Sequence, residues 1–341
     1  MNIPNTLACR QLGRTGISVS SLGFGAAPLG DLYARLDDET SIRTAERALQ
    51  LGLNLVDTSP LYGHGLSEHR CGTAIRRFKR QNIVVSTKVG RRMDPFGPRL
   101  DGSGYLGGLP HRAIFDYSFD GTMRSVEQSL LRLGTDRIDI LLIHDVDIWT
   151  HGPDAIEARF REAMAGAFVA LDRLRGEGVV SAIGVGVNED EMCVRFAMAG
   201  DFDAMLLAGR YSLLEQPALE AFLPLAERKG IGVMLGGVFN SGILATGAIK
   251  GAKYNYRDAP PPVMARVRDI ERVCLAHGVG LAAAAVHFAL AHPAVASVVL
   301  GAQTPQEVER NVNGITIRIP TGLWTDLKDE GLLARHAPVP A

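Results

Sequence analysis

The chain has 341 residues, 46% of them hydrophobic and 38 of them glycine, which is enough to bury a large core. Its 36 basic and 37 acidic side chains leave a net charge of −1 with no basic block, so nucleic acid and anionic membrane surfaces are not favoured as partners. Cys9, Cys71, Cys193 and Cys274 are scattered and form no CxxC, the start carries no apolar signal core, and no apolar run is long enough to span a bilayer; a reduced, cytoplasmic protein without a designed disulfide or metal site is expected.

In chain order, CRQLGRTGISVSSLG reads as two short strands joined at Thr15-Gly16, a hairpin ahead of the main fold. Apolar runs then predict strands at Ser21–Ala26, Asn54–Thr58, Ile83–Lys88, Ile138–His144, Ala182–Val187, Ala204–Gly209, Gly232–Gly236 and Val298–Gly301. They are rich in Val, Ile and Leu on both faces, as a parallel sheet with no solvated side requires. Helix-like stripes separate them at Asp38–Leu51, Glu127–Leu133, Ile156–Leu174, Ala218–Lys229, Val263–His277 and Pro305–Val312. Eight strands alternating with helices predict a single α/β domain, a (β/α)8 TIM barrel preceded by the hairpin. A doubly wound sheet is the alternative, resting on GFGAAPLG, but Pro28 stands where a dinucleotide fingerprint needs its third glycine. Arg91–Ser118 and Ser241–Pro262, the latter with Tyr254 and Tyr256, exceed ordinary connection length and are candidate covers for a site. Ile319–Ala341 would either close over the substrate or pack on the exterior.

Four ionisable residues fall at or just beyond successive strand ends: Asp57, Tyr62, Lys88 and His144. In a barrel those ends converge at one mouth. A buried lysine needs a counter-charge, and Asp57 is the natural one. The set suits proton transfer coupled to hydride transfer. A nearby ammonium favours a phenolate, and lowering Tyr62 by ~2 pKa units needs roughly 2.7 kcal/mol. Tyr62 then acts as general base on a hydroxyl or general acid on a carbonyl, with His144 orienting the same oxygen. Two other readings compete. Lys88 could form a Schiff base in an aldolase, which leaves Tyr62 without a purpose. His64, His69 and Cys71 invite a zinc site, but no second ligand pair follows and no metal is expected.

NLVDTSPLYG, VVSTKVG and LLIHD, in order and with the Asp-x4-Tyr spacing, resemble the catalytic regions of the aldo-keto reductases, and the similarity runs from RQLGRTGISVSSLGFG to VVLGAQTPQEVERN. The resemblance implies a barrel that binds a nicotinamide cofactor without a Rossmann domain, with Asp57, Tyr62, Lys88 and His144 as the catalytic tetrad. It further implies that Asn188 holds the nicotinamide amide, although IGVGVNE has glycine where relatives have serine. Tyr211 corresponds to an aromatic that stacks on the nicotinamide, although Ala208 replaces the usual glutamine before it. Val238, Phe239, Asn240, Ser241 and Gly242 correspond to the pyrophosphate cradle, and Gly301, Gln303, Glu307 and Asn311 to the adenosine site. NADP-preferring relatives carry lysine and arginine where this chain has Gly301 and Glu307, so NAD is expected over NADP, with oxidation as the working direction. FDYSFDGTMRSVEQSLLRLGTDRIDILLIHDVDIWTHG looks most like the NAD-linked dehydrogenases of L-fucose and other D-threo-aldoses and like pyridoxal 4-dehydrogenases. Those substrates are cyclic hemiacetals oxidised to lactones, and Asp145, Trp149 and His151 are the candidate substrate contacts. A barrel of this family serving as a cofactor sensor in a larger assembly is the alternative from another class. Oligomeric state is not legible.

Overall fold

The computed structural model describes the chain except residues 5, 33, 98–103 and 341. Cys9–Gln11 (β1) and Ser18–Ser20 (β2) form the antiparallel hairpin. The remaining strands are Leu22–Gly25 (β3), Leu55–Asp57 (β4), Val84–Val89 (β5), Arg91–Asp94 (β6), Arg112–Phe115 (β7), Ile140–His144 (β8), Ala182–Val187 (β9), Ala204–Ala208 (β10), Gly232–Gly236 (β11), Lys253–Tyr254 (β12), Arg257–Asp258 (β13) and Val295–Gly301 (β14). Eight of them, β3, β4, β5, β8, β9, β10, β11 and β14, run parallel round a closed barrel in chain order, and β14 pairs with β3 to close it. The doubly wound alternative is thereby excluded.

Alternation along each strand sorts the core into two layers. Leu55, Ile140, Leu142, Ala182, Ala204, Leu206, Met234, Ala296 and Val299 fill the barrel interior. Residues between them, such as Val56, Val85, Leu141, Ile143, Val185 and Leu207, face the helical ring. Leu12 and Val19 of the hairpin belong to the inner cluster and are fully buried, so β1 and β2 plug the end of the barrel where the strands begin. The same period carries Asp57, Lys88 and His144 inward at the other rim.

The helical ring is more complete than the stripes in the sequence suggest. Phe119–Leu133 starts eight residues before the expected stretch, capped by Ser118, whose hydroxyl accepts from Gly121 N at 3.0 Å. Its first half buries Gly121, Thr122 and Ser125, small residues that give no apolar stripe. Leu66–Ile75, Asp190–Ala199 and Leu281–Ala291 were not legible; the last is apolar but for His287 and mostly buried. The expected Ile156–Leu174 helix is a longer run, Ile148–Glu162, a π turn over Ala163–Phe168, and Val169–Gly176. The long 91–118 connection contains the β6–β7 ribbon, and 241–262 contains β12–β13. Thr321–Asp329 packs on Pro261–Ala276, burying Leu323, Trp324 and Leu327, so the C-terminal segment lies on the barrel exterior. No single helix among the described residues is long and apolar enough to cross a membrane.

Candidate active site

At the rim, Lys88 Nζ lies 2.8 Å from Asp57 Oδ2 and donates to Thr58 O at 2.8 Å, while Ser86 Oγ donates to Asp57 Oδ1 at 2.7 Å. Lys88 is 1% exposed. Its stem fits because β9 presents Gly186 opposite, where a Cβ would stand 3.5 Å from Lys88 Cε. The β4 strand ends in a turn in which Tyr62 N donates to Ser59 O at 3.1 Å, and this brings the Tyr62 ring back over the mouth. Lys88 Nζ sits 4.8 Å from the ring centroid of Tyr62, and the His144 ring stands edge-on to it at 6.0 Å. The four residues from consecutive strand ends therefore meet.

Their electrostatics differ from the expectation in one respect. Tyr62 is pushed well above the ordinary tyrosine value, first by burial and then by the carboxylates of Asp57 and Asp145. The Lys88 ammonium does not reverse this, because Asp57 neutralises it and it faces the ring. The expected lowering of Tyr62 is thus corrected: the phenol is the resting form. His144 is driven well below its usual value by burial, then by Arg91 and Lys88, so its imidazole is neutral. Arg91 Nη1 lies 3.3 Å from His144 Nδ1, beside Ser59 Oγ at 3.2 Å. Arginine can only donate, so Nδ1 accepts and Nε2 carries the hydrogen.

Tyr62, Lys88 and His144 line a cavity of about 620 Å³ together with Tyr105, Asp145, Trp149, Asn188 and Tyr256. It joins a second cavity, about 530 Å³, that runs outward past Arg210, Val238–Gly242 and Gly301–Gln303 to Glu307. Trp149, Asn188, Asn255 and Tyr256 border both. In the turn after β11, the amides of Asn240 and Gly242 close onto the carbonyls of Gly237 and Phe239. Among the described residues, nothing accepts from the amides of Val238, Phe239 or Ser241. With Arg210 beside them, these amides make a concavity suited to an anionic group.

The sequence profile of the aldo/keto reductase family matches residues 21–329. The chain belongs to this family. It is 41% identical over 337 residues to a pyridoxal 4-dehydrogenase from Microbacterium luteolum, covering 95% of this chain and 98% of the relative. It is 37% identical over 331 residues to a D-threo-aldose 1-dehydrogenase from a Pseudomonas species, covering 95% and 97%. An aldo-keto reductase from Bacillus halodurans, solved in its holo form, superposes with a TM-score of 0.72 at 26% identity, over 97% of this chain and 99% of that one. The protein is therefore an oxidoreductase of the aldo-keto reductase class, and this class works with nicotinamide cofactors.

In this aldo-keto reductase several expected contacts fall elsewhere. Tyr211 is 1% exposed and packs between Phe288 and His292, at ring separations of 5.1 and 5.6 Å, outside both cavities. Two residues earlier, Gly209 turns the chain at φ 71°, so Gly209 and Arg210 take the wall and Tyr211 goes into the helical layer. Asn311 lies one helical turn beyond Glu307 and outside the lining. His151 turns away from the mouth: its Nε2 lies 3.0 Å from Tyr117 Oη and its ring 4.6 Å from Phe115. The side chain of Asn240 is committed to the scaffold, with Oδ1 accepting from Ser212 Oγ at 2.6 Å. Asn188 is held by Asp147, whose Oδ2 accepts from its backbone N at 2.9 Å and from Nδ2 at 3.1 Å, leaving the amide oxygen for the cavity. The carboxylate of Glu307 accepts from Gln303 N at 2.8 Å, so it also caps its helix. Sequence reasoning missed Arg91, Tyr105, Arg210 and Asn255. Arg91 follows Lys88 by three residues, and a charge so close to a strand end was the available signal.

Proposed function

We propose that this aldo-keto reductase oxidises a cyclic hemiacetal, an aldose such as L-fucose or another D-threo-aldose, at C1 to its lactone with NAD. The observation that carries the reading is the meeting of Tyr62, His144 and a paired Lys88 in one cavity that opens into a second, anion-compatible one. The described residues fit a dinucleotide: Asn188 borders the junction, the free amides of Val238, Phe239 and Ser241 suit a pyrophosphate, and Glu307 stands at the far end. A bound nicotinamide supplies the acceptor for the hydride that leaves C1.

The residues do the rest. His144 Nε2–H and Tyr62 Oη hold the anomeric oxygen between them. Tyr62, once ionised, takes the hydroxyl proton as its phenolate, C1 becomes the lactone carbonyl carbon, and Lys88 with Asp57 steadies the phenolate until the proton arrives. Asp57 keeps the lysine oriented. In the reverse direction Tyr62 returns its proton to a carbonyl, for which its raised pKa suits it.

Glu307 supports NAD over NADP. A carboxylate at the end of the cavity opposes a 2′-phosphate and accepts from a 2′-hydroxyl. The second reading, pyridoxal to 4-pyridoxolactone, is favoured by the 41% identical relative and by the aromatic lining of Tyr62, Tyr105, Trp149 and Tyr256. NADH formation on L-fucose, D-arabinose, L-galactose and pyridoxal, with NADP run alongside, decides between the two. Cofactor binding with no turnover on any of them would favour the sensor reading instead.

A further inference from the structure

Asp145 breaks a rule of the strand that precedes it. In β8, Ile140, Leu142 and His144 face inward and the residues between them outward, so residue 145 should point into the helical layer. Its backbone instead adopts φ 56°, the left-handed region that aspartate tolerates. Donation from Asp145 N to Gly186 O at 2.9 Å and from Tyr117 Oη to His144 O at 2.8 Å pins this kink. Two adjacent side chains consequently face the same cavity. His144 Nε2 lies 3.3 Å from Asp145 Oδ1, and Asp145 Oδ2 is fixed by Arg91 Nη1 at 2.8 Å. The result is a donor and an acceptor side by side: a neutral imidazole N–H and a carboxylate oxygen, both bordering the cavity that contains Tyr62.

Such a pair matches a substrate with two neighbouring oxygens about 3 Å apart, one to accept and one to donate. We propose that Asp145 is a specificity residue, reading a second hydroxyl next to the one being oxidised, so that the reductase selects hemiacetals with a hydroxyl flanking the reacting carbon. The inference rests on the hemiacetal-dehydrogenase reading and narrows it. The reacting oxygen takes His144 Nε2–H, and the flanking hydroxyl donates to Asp145 Oδ1. In an aldose the flanking group is the C2 hydroxyl. In pyridoxal the nearest counterpart is the ring phenol, one carbon further from the hemiacetal carbon. Arg91 is a positioning residue here, orienting Asp145 and fixing the His144 tautomer.

The test compares kcat/KM of the full-length protein with NAD on L-fucose and on 2-deoxy-L-fucose, and on pyridoxal and its 3-deoxy analogue. Loss of the flanking hydroxyl should lower kcat/KM ~10–100-fold, the range for a hydrogen bond to a charged group. In Asp145→Asn the single amide oxygen goes to Arg91, and the ratio between each substrate and its deoxy partner should fall below about threefold. Asp145→Gly, which tolerates the same backbone, gives the same reading if the asparagine variant folds poorly. Equal kcat/KM on the deoxy substrate in the wild type would overturn the proposal without any variant. So would a discrimination ratio that survives both substitutions. If no NADH appears with any of the four compounds, the dehydrogenase reading itself fails, and this inference with it.

Discussion

Removing the hydroxyl of Tyr62 separates chemistry from binding. Tyr62→Phe should lower turnover ~10²–10⁴-fold, while cofactor affinity, read by fluorescence titration, stays nearly the same. Because burial and two carboxylates hold the phenol in its protonated form, oxidation requires it to lose a proton, and the oxidation rate should climb as pH rises from neutral towards and beyond 10. Carbonyl reduction needs the protonated form and should lack that climb. His144 gives a stability signature. Its folded pKa lies well below the ordinary 6.5, so the unfolded chain binds a proton that the native site refuses, and stability falls as pH drops below 6.5. His144→Gln should flatten that acid limb by as much as ~1.4 kcal/mol per pH unit, measured by urea unfolding at stepped pH. Asp57→Ala leaves an ammonium that is 1% exposed without its carboxylate, and should cost ~3–5 kcal/mol.

At the scale of elements, the β12–β13 ribbon arches beside the junction of the two cavities. Its turn, Asn255–Tyr256, has both residues at positive φ, 47° and 62°, and is held by donation from Tyr256 N to Ser241 Oγ at 3.0 Å. Lys253 and Arg257 on the ribbon are exposed, so trypsin can report its opening. Cofactor at ~100 times its dissociation constant should slow cleavage there by up to ~100-fold if it binds only beneath the closed ribbon, and Ser241→Ala should weaken the protection. Strand ends were the legible part of this protein. Asp57, Lys88 and His144 stop runs of Val, Ile and Leu, and the barrel period alone brings such residues together. The connections that hold Tyr105 and Asn255 were expected to cover the site, and both residues do line its cavity; which side chains would do so was not legible, because no periodicity dictates the path of such Gly- and Pro-rich segments. Tyr211 misled for a related reason: the left-handed Gly209 ahead of it redirects the chain, and a residue count across that turn does not carry side-chain direction. Leu281–Ala291 offered no polar face by which a helix could be recognised.

At the scale of the whole molecule, the two ends of the barrel divide stability from chemistry. Leu12 of the hairpin plug is fully buried in the inner core, at the opposite end from Tyr62. Leu12→Ala should cost ~2–5 kcal/mol of stability, yet kcat measured well below the melting transition should stay within about twofold of the wild type. The mouth end is limited by geometry of another kind. Each barrel strand delivers one inward side chain to the upper rim, so eight strands offer a short and nearly fixed alphabet of reactive groups. The left-handed kink at Asp145 lets β8 contribute two. That extra letter comes with its own spelling rule: a β-branched or bulky residue at φ 56° costs ~1–2 kcal/mol, whereas Asn and Gly do not. Diversification at this position, natural or in the laboratory, should therefore sample few residues, and new substrate ranges for this barrel should arise by mutation of the facing loops sooner than by mutation of the kink itself.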